Sequence, residues 1–414
     1  MIKLPELLAP AGTLDAFKTA ILYGADAIYA GLPGFSMRAR AKITVDEVKA
    51  GIDLAHHAGK KVYLAFNLFA HDRDYANMDA VSRVINYLRP DALIVSDPGI
   101  VMWVRENHPD MPIHISTQAN ICSAQTVKFW QNAGASLCVL AREVSHAEFK
   151  QIRAACPDVG LEIFVHGAMC MSYSGRCLLS NYITGRPANR GACAQLCRWK
   201  YDVILRERES GIEMPIVEDE RGAYIMNSRD LCLMPRLADV ISSGPNSLKI
   251  EGRNRSEYYV GSVVRAYRAA MDAYAADPDH FDPAPFMDAL NVLQTRGYTT
   301  AFFDGPLGPD AHDYETTRST SDYMAAGVIT DAGVDAITLE LRNEIRTGDE
   351  IKFILPGTMD TPAVRLPRII NAATGMDVPK LAAGQRNSIV IPRAWLDAAS
   401  GDKLVPYVLA YRHK

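Results

Sequence analysis

The stretch Glu6–Gly31, ELLAPAGTLDAFKTAILYGADAIYAG, has the pattern of one strand–helix–strand unit. Two short apolar runs, Glu6–Pro10 and Ala27–Ala30, flank an amphipathic segment that stops at Gly24, just before the second run. A glycine at this position is typical of a helix end. The stretch therefore predicts two strands joined by a helix, the repeating unit of a parallel sheet.

The same alternation continues over about the first 255 residues of the chain. Six further apolar runs bring the set to eight: Val62–Phe66, Ala92–Val95, Ile113–Ile115, Leu137–Leu140, Glu162–Val165 and Leu248–Ile250. Eight parallel strands are the number that closes a barrel, so we predict an α/β protein with a TIM-type (β/α)8 barrel. A doubly wound sheet is the alternative, but no glycine-rich dinucleotide fingerprint supports it.

Helix boundaries inside this repeat are marked by local signals. Thr44 with Glu47 and Ser145 with Glu148 fit the capping box, in which each side chain satisfies a backbone N–H of the first turn. Helix ends are expected at Gly24, Gly59 and Gly134.

An interval of about 65 residues follows the seventh run, whereas the other intervals are short. We predict an insertion over about 166–232, and we expect it to be functional because loops after barrel strands open onto the active-site face. The barrel is predicted to occupy residues 1–276, and residues 277–320 to connect it to a second domain. Alternating runs such as Ala336–Leu341, Glu350–Leu355 and Ser388–Ile391 predict that residues 321–414 form a small β-barrel-like domain.

Composition excludes several classes of protein. The chain has 414 residues, of which 48% are apolar and 22% charged, as in ordinary globular proteins. No stretch approaches the roughly 20 apolar residues of a membrane span, and the first residues have no secretory signal. We therefore expect a cytoplasmic protein without a membrane partner. The net charge of -4 argues against a uniformly basic nucleic-acid coat but allows a local basic patch.

Five of the eight cysteines lie in or beside the insertion, with the spacing C-x6-C-x15-C-x3-C-x34-C: Cys170, Cys177, Cys193, Cys197 and Cys232. Thiolates in a cytoplasmic chain favour an iron–sulfur cluster or zinc over disulfides. Zinc sites normally use tighter cysteine pairs, so the wide spacing favours a [4Fe–4S] cluster. Structural zinc and unligated core cysteines remain the alternatives.

Polar residues that follow the barrel strands are expected to face the active site. His166, Glu251 and Asp97 are the candidate catalytic groups, since imidazole and carboxyl groups can transfer protons. The candidate substrate-binding residues are Arg38, Arg40, Asn67, Gln118, Arg142 and Arg253. The arginines predict an anion site because a guanidinium binds a carboxylate through two parallel hydrogen bonds. Alternatively, each arginine pairs with a nearby Glu143 or Glu251, and His166 bonds a backbone carbonyl.

The insertion is strongly basic. Between residues 170 and 206 one acidic residue is opposed by six basic residues: Arg176, Arg186, Arg190, Arg198, Lys200 and Arg206. Aromatic residues, among them Tyr173, Tyr182 and Trp199, are interleaved with them. Basic and aromatic side chains together suit a phosphate backbone with unstacked bases, so the segment is predicted to bind RNA. The alternative is that the arginines bond to cluster sulfurs or loop carbonyls and the tyrosines shield the cluster from solvent.

The block Glu162–Ser180, EIFVHGAMCMSYSGRCLLS, resembles the signature of the collagenase-like peptidase family U-32. The resemblance extends almost end to end and includes PDALIVSDPG, PIHISTQAN, RGACAQLCRWKY, YIMNSRDLC and SLKIEGRNRSEYY. It is strongest with the members that hydroxylate tRNA. The resemblance implies an oxygen-independent hydroxylation of a tRNA wobble uridine at C5, with a [4Fe–4S] cluster as cofactor and prephenate as co-substrate. It also allows a partner protein of the same family.

By position, the resemblance makes Cys170, Cys177 and Cys193 cluster ligands, with Cys197 or Cys232 as the fourth. We favour Cys232 slightly, because it returns from a distant point and would pin the insertion over the barrel mouth. Prephenate has two carboxylates, which suits the predicted arginine site.

Other activities remain open at this level. Ribosomal RNA or a quinone precursor is an alternative substrate within the family. The family name suggests a peptidase. The chain has neither the Gly-x-Ser-x-Gly elbow of a serine hydrolase nor the His-Glu-x-x-His motif of a zinc peptidase. A third alternative is a non-catalytic RNA-binding module with structural zinc.

Overall fold

A computed structural model describes residues 2–32, 43–170, 172–199, 204–206, 213–215, 228–307, 311, 321–384, 386–396 and 402–414. The first part of the chain forms a closed barrel of eight parallel strands, which confirms the predicted fold class. Seven of these strands follow one another in the sequence: β1 (Glu6–Pro10), β2 (Ala27–Gly31), β3 (Lys61–Phe66), β4 (Ala92–Val95), β5 (Ile113–Ile115), β6 (Leu137–Val139) and β7 (Gly160–Gly167).

Three short strands of the insertion come next in the sequence: β8 (Ile204–Arg206), β9 (Glu213–Pro215) and β10 (Asp230–Cys232). The eighth barrel strand, β11 (Ser247–Ile250), follows them. Strand β11 closes the barrel because it pairs in parallel with both β1 and β7. In this register Ser247 lies opposite Glu6 on one side and opposite Glu162 on the other.

Helices surround the barrel on its outer side, apart from one short helix that belongs to the insertion. They are α1 (Leu14–Leu22), α2 (Val45–His57), α3 (Asp72–Tyr75), α4 (Met78–Leu88), α5 (Pro98–Asn107), α6 (Ala124–Asn132), α7 (His146–Ala155), α8 (Leu179–Thr184) in the insertion, α9 (Leu237–Ser242) and α10 (Glu257–Ala276). Both predicted capping boxes are present, at Thr44 and Ser145. The three predicted end glycines all have positive φ: Gly24, Gly59 and Gly134. Local sequence signals therefore place these helix boundaries correctly.

The barrel has an apolar outer core and a different interior. Alternate strand residues such as Leu7, Ile28 and Val62 pack outward against the helices in one large buried cluster. The residues between them form a separate small cluster inside the barrel: Leu8, Ala27, Tyr29, Tyr63, Ala65, Ala92 and Ile94. Because several of these side chains are small, the interior leaves room for polar side chains from the remaining strands.

Residues 277–320 were predicted to be a connection. Their described part includes α11 (Ala284–Asn291) and β12 (Tyr298–Thr299), which pairs in parallel with β10. Phe286 and Leu290 of α11 belong to the buried core of the barrel. This part of the chain is therefore packed on the barrel and extends its structure.

The C-terminal part is a curled antiparallel sheet with its own core, as predicted. Its strands are β13 (Tyr323–Ala332), β14 (Ala336–Leu341), β15 (Ile345–Arg346), β16 (Glu350–Ile354), β17 (Ala363–Arg365), β18 (Ile369–Asn371), β19 (Asp377–Val378), β20 (Lys380–Leu381), β21 (Ser388–Pro392) and β22 (Leu409–His413). The domain packs on α1 and α10: the Tyr23 hydroxyl donates to the Ile354 carbonyl at 2.6 Å and accepts from the Leu409 N–H at 3.0 Å. A Cβ at Gly261 would lie 2.4 Å from the Leu409 side chain, so only glycine permits this approach of α10. Among the described helices, none is both long and apolar enough to cross a membrane.

Candidate active site at the barrel mouth

The insertion begins and ends at the same place on the barrel. It leaves after β7 and returns through β10, which pairs antiparallel with the end of β7 so that Cys232 lies opposite His166. Farther along, a Cβ at Gly175 would lie 3.0 Å from the Phe69 ring and 3.5 Å from Gln118 Oε1. Phe69 and Gln118 follow β3 and β5, so the insertion lies across the mouth from β7 toward the opposite strands.

Two sets of hydrogen bonds hold the described part of the insertion. The Ser180 hydroxyl donates to the Arg186 carbonyl at 2.7 Å and accepts from the Ala194 N–H at 2.9 Å, which joins two arms of the segment. Arg190 donates to both oxygens of Asp74 at 2.9 Å. This paired guanidinium lowers the pKa of Asp74 to about 2. The structure thus gives Arg190, predicted to bind RNA, a contact that anchors the insertion to α3.

Four of the five cysteines are accessible within the insertion. Cys170 and Cys193 are exposed, whereas Cys177 and Cys197 are half-buried. The backbone N–H of Gln195 donates to Cys193 Sγ at 3.3 Å. Among the described residues, no three His, Cys, Asp or Glu side chains lie close enough together to hold a metal ion. The donor chemistry suits an iron–sulfur cluster, but assembly requires the thiols of this segment to draw together.

Cys232 has a different environment. It is buried, with Sγ 3.8 Å from the Tyr267 hydroxyl and 3.7 Å from Met287 Sδ. Burial raises the pKa of this thiol to about 11, so only a strong positive charge such as bound iron would ionise it at neutral pH. Cys232 nevertheless lies opposite His166, where the insertion that carries the other four cysteines returns to the barrel.

Of the other predicted RNA-binding residues, Arg176 is exposed and Arg186 is half-buried. The Arg176 guanidinium lies 5.4 Å from the centre of the Phe69 ring, and Arg186 donates to the Cys193 carbonyl at 3.4 Å. Tyr182 is 90% exposed, and about half of Tyr173 and Trp199 is exposed. Lys200 and the side chain of Arg198 lie outside the described residues.

Three cations converge just inside the mouth. The Arg142 guanidinium lies 4.0 Å from the centre of the Phe164 ring, and Lys249 Nζ lies 5.6 Å from the same ring. Lys249 Nζ and Arg253 lie 4.4 and 5.8 Å from the ring of Tyr29. Burial lowers the pKa of Lys249, and the charges of Arg253 and Arg142 lower it further. We call these three residues, Arg142, Lys249 and Arg253, the mouth cations.

Carboxylates accompany these cations. Glu162 Oε1 lies 2.7 Å from Lys249 Nζ, and both side chains are buried. Glu251 is buried at the mouth as well. Two guanidinium groups and one ammonium group beside these carboxylates suit the binding of an anion that carries carboxylates. Arg142 and Arg253 were predicted to belong to such a site, whereas Lys249 was missed. Arg38 and Arg40, predicted to contribute, lie outside the described residues.

His166 is fully enclosed between aromatic rings, with ring centres at 5.9 Å for Tyr259, 5.7 Å for Tyr267 and 5.3 Å for Tyr298. Its Nδ1 has no hydrogen-bond partner among the described residues. Burial, with a smaller contribution from the charge of Arg255, lowers the pKa of the imidazole to about 3. At neutral pH His166 is therefore neutral, and it can accept a proton only with difficulty.

The remaining predicted residues have mixed positions. Asp97 accepts hydrogen bonds from the Gly99 and Ile100 N–H groups at 2.9 and 3.2 Å, so it caps α5. The dipeptide Asp97–Pro98 is a helix-start signal that could have revealed this role. Glu251 and Gln118 are buried at the mouth. Asn67 is also buried and donates to the Ser116 hydroxyl at 3.3 Å, which joins the loops after β3 and β5.

Comparison with known proteins yields relatives of full length. The chain is 38% identical to "tRNA hydroxylation protein P" of Escherichia coli over 393 residues, which is 85% of this chain and 86% of the relative. It is 31% identical to a "Collagenase" of Porphyromonas gingivalis over 403 residues, covering 93% and 94% of the two chains. It is also 35% identical to a 23S rRNA 5-hydroxycytidine synthase of Escherichia coli, covering 84% of this chain and 52% of that protein.

The match to a family extends over most of the chain and includes the barrel, the insertion and the residues of the mouth. It covers residues 12–313. The chain is therefore a member of Peptidase family U32.

Proposed function

We propose that this protein is an RNA-modifying hydroxylase that hydroxylates a wobble uridine of tRNA at C5 without molecular oxygen. The observation that carries the proposal is the position of the mouth cations beneath an insertion rich in thiols. The relative named tRNA hydroxylation protein P, aligned over 85% of this chain, supports tRNA as the substrate. The reaction would take place in the cytoplasm, where tRNA is found.

The cofactor in this proposal is a [4Fe–4S] cluster. Cys170, Cys177 and Cys193 would hold it, with Cys232 or Cys197 as the fourth ligand. When bound, the cluster supplies redox and Lewis-acid chemistry at the mouth. The protein's own contribution is to place the insertion across the mouth, where the bidentate Arg190–Asp74 pair restrains it. A restrained cover also excludes water from the site, which strengthens the electrostatic interactions inside.

The co-substrate in this proposal is prephenate. Its two carboxylates would bind the mouth cations, and the rings of Phe164 and Tyr29 hold two of these cations in fixed positions. The guanidinium groups of Arg142 and Arg253 suit bidentate binding of carboxylates, whereas Lys249 supplies a point charge. Binding would be strong because Lys249 and Arg253 are buried, so little water screens their charges.

RNA would bind on the outer side of the insertion. Arg176 and Arg186 can contact phosphates, and the exposed tyrosines beside them can stack on an unpaired base. A protein partner of the same family is compatible with this arrangement but is not required by it. His166 would contribute shape and a neutral hydrogen-bonding group to the site, since burial keeps it unprotonated.

A second candidate function is hydroxylation of ribosomal RNA, which is favoured by the 35% identity to a 23S rRNA 5-hydroxycytidine synthase. A peptidase is the third, because one relative is named a collagenase. Against it, burial lowers the pKa of His166 to about 3 and raises that of Cys232, which lies opposite it, to about 11. These two residues would therefore not form the thiolate–imidazolium pair that a cysteine peptidase uses.

Nucleoside mass spectrometry of a strain that lacks the gene tests the proposal. tRNA from this strain is expected to lose 5-hydroxyuridine and its derivatives, and the wild-type gene but not a Cys170→Ala variant should restore them. Ribosomal RNA from the same cultures serves as the internal comparison. Unchanged tRNA with a lost hydroxylated nucleoside in ribosomal RNA would transfer the function to the second candidate. Unchanged RNA of both kinds would contradict hydroxylation of RNA altogether.

A further inference from the structure

The inside of the barrel contains a line of polar side chains that begins at the start of β1 and rises by one layer toward the mouth. Glu6 and Ser247 are register partners on β1 and β11, and Ser247 and Glu162 are partners on β11 and β7. Glu162 then contacts Lys249 Nζ at 2.7 Å, one layer nearer the mouth. Four polar residues on three adjacent strands thus follow one another inside the barrel.

The lower end of this line meets solvent. Glu6 is half-buried at the end of the barrel where the strands begin, and the Tyr63 hydroxyl donates to Glu6 Oε2 at 2.8 Å. The upper end is Lys249, which is 4% exposed and lies beside Arg142 and Arg253. Lys249 therefore lies between the layer of Glu6 and the two arginines of the mouth, while the insertion lies across the opposite opening.

Two polar atoms along this line are buried and have no hydrogen-bond partner among the described residues, Ser247 Oγ and Glu162 Oε2, and the same holds for His114 Nδ1 on β5. The His114 ring packs against Tyr63 with its centre at 4.6 Å. Buried polar groups in proteins are almost always paired, and where protein atoms do not pair them, ordered water does. Ala27, Ala65 and Ala92 line the same interior, and their side chains are small.

We propose that the barrel interior holds a short chain of ordered water molecules that links Glu6 to the Lys249–Glu162 pair and carries protons between the lower face and the mouth. Each transfer breaks one O–H or N–H bond and forms the next along the chain. A proton that leaves Lys249 for an acceptor in the mouth is replaced through Glu162, and Glu6 takes up a proton from bulk water. One proton moves in total, and no oxidant or reductant is needed.

The surroundings of Glu6 suit this role. Burial raises the pKa of Glu6 to about 7; the Tyr63 hydrogen bond and Lys61 oppose the rise, and Glu162 and Asp26 add to it. The carboxyl group therefore takes up and releases protons near neutral pH. Use of the path during turnover rests on the proposed function, but the existence of the water chain and its exchange of protons does not.

The first test is a crystal structure of the protein at a resolution that shows ordered water. We expect water within hydrogen-bond distance of Ser247 Oγ and Glu162 Oε2. A dry interior at this position would overturn the proposal.

The second test measures proton exchange at Lys249 by NMR, with lysine labelled by nitrogen-15 and the signal assigned through Lys249→Met. Ser247→Ala removes one hydroxyl from the line and is expected to slow exchange of the Lys249 ammonium protons at least fivefold. Ser262→Ala is the matched control, since Ser262 Oγ is also buried and unpaired but lies on α10, outside the barrel. Equal exchange rates in the two variants would contradict the path.

A second variant protects the test against a folding defect at Ser247. Tyr63→Phe removes the hydroxyl that bonds Glu6, and Tyr23→Phe changes an equally buried tyrosine that contacts the C-terminal domain. Only the former should slow exchange at Lys249. These measurements need no RNA, so a protein that exchanges protons as expected but modifies no RNA would refute the proposed function alone.

Discussion

Lys249 and Glu162 form an ion pair inside the barrel, with Nζ and Oε1 2.7 Å apart and side chains that are 5% and 1% exposed. They lie on the adjacent strands β11 and β7, and the pair stands directly below Arg142 and Arg253. Burying both charges carries a large desolvation penalty that their attraction must offset. The pair therefore links the stability of the barrel to the charge of the mouth.

Removal of one member of this pair should destabilise the protein far more than removal of both. Lys249→Met leaves a buried carboxylate without its cation and is expected to lower the free energy of unfolding by about 3–5 kcal/mol. The double variant Lys249→Met/Glu162→Leu should lose much less than the sum of the single changes. Urea unfolding of the wild type, Lys249→Met, Glu162→Leu and the double variant measures this coupling. Additive losses of stability in the double variant would contradict it. Arg236→Met, which breaks an exposed pair with Asp304, is the control and should cost under ~1 kcal/mol.

Changes at the proposed cluster ligands should remove iron. Cys170→Ala, Cys177→Ala and Cys193→Ala are each expected to abolish most iron binding in anaerobically purified protein, because a cluster needs its thiolates and also orders the insertion. Cys138→Ala, a buried cysteine of β6, is the control and should keep its iron. Iron content by elemental analysis and absorbance near 400 nm would be measured.

The same assay separates the two candidates for the fourth ligand. Cys232→Ala and Cys197→Ala should differ, with one severe and one mild loss of iron. Two mild losses would mean that the two thiols substitute for one another. Full iron content in any of the first three variants would refute the ligand assignment.

Loss of a mouth cation should weaken the binding of prephenate and leave the cluster intact. Arg253→Ala removes a carboxylate contact expected to be worth ~2–4 kcal/mol, or roughly 30- to 1000-fold in affinity. Prephenate should therefore raise the melting temperature of the wild type much more than that of the variant. Arg268→Ala, on the outer face of α10, should respond like the wild type. Equal thermal shifts in the Arg253→Ala variant and wild type would remove Arg253 from the anion site.

Release of the anchor between Arg190 and Asp74 should loosen the insertion. In Arg190→Ala the segment loses two charge-assisted hydrogen bonds to α3, each 2.9 Å long, and its backbone should exchange hydrogen faster. Hydrogen–deuterium exchange of peptides from residues 172–199 measures the change, with Arg186→Ala as the control on the same segment. If these peptides exchange at the same rate in Arg190→Ala and Arg186→Ala, the Arg190–Asp74 pair does not anchor the insertion.

Acid should destabilise the folded state through buried histidine. Burial lowers the pKa of His114 from 6.5 to about 3, with smaller contributions from Lys249 and Lys61. Between these values the unfolded chain binds a proton that the folded chain does not, so stability falls as the pH decreases from about 6.5 toward 3. The loss is about 1.4 kcal/mol per pH unit for one such group.

Chemical unfolding of His114→Phe and wild type over this pH range checks the effect. The variant should lack this part of the pH dependence, and replacement of the exposed His280 by Phe should leave the dependence unchanged. A variant whose stability falls as steeply as that of the wild type would show that His114 is not the group responsible.

The sequence alone predicts those features that depend on neighbours along the chain. The capping boxes at Thr44 and Ser145 were predictable because each involves residues only three positions apart. The barrel followed from eight apolar runs because each run must be buried on both faces. The cysteine-rich insertion was recognisable because four of its cysteines lie close together in a single segment of the chain.

What the sequence left open was decided by contacts between distant residues. The sequence did not show that Arg190 pairs with Asp74, because these two residues are 116 positions apart in the chain. Lys249 and Glu162 were concealed inside apolar runs, because the closure of β11 against β7 determines which side chains of each strand face the interior. Sequence periodicity fixes that neighbouring side chains alternate, whereas only the closed barrel brings one charge within reach of the other and buries both from water.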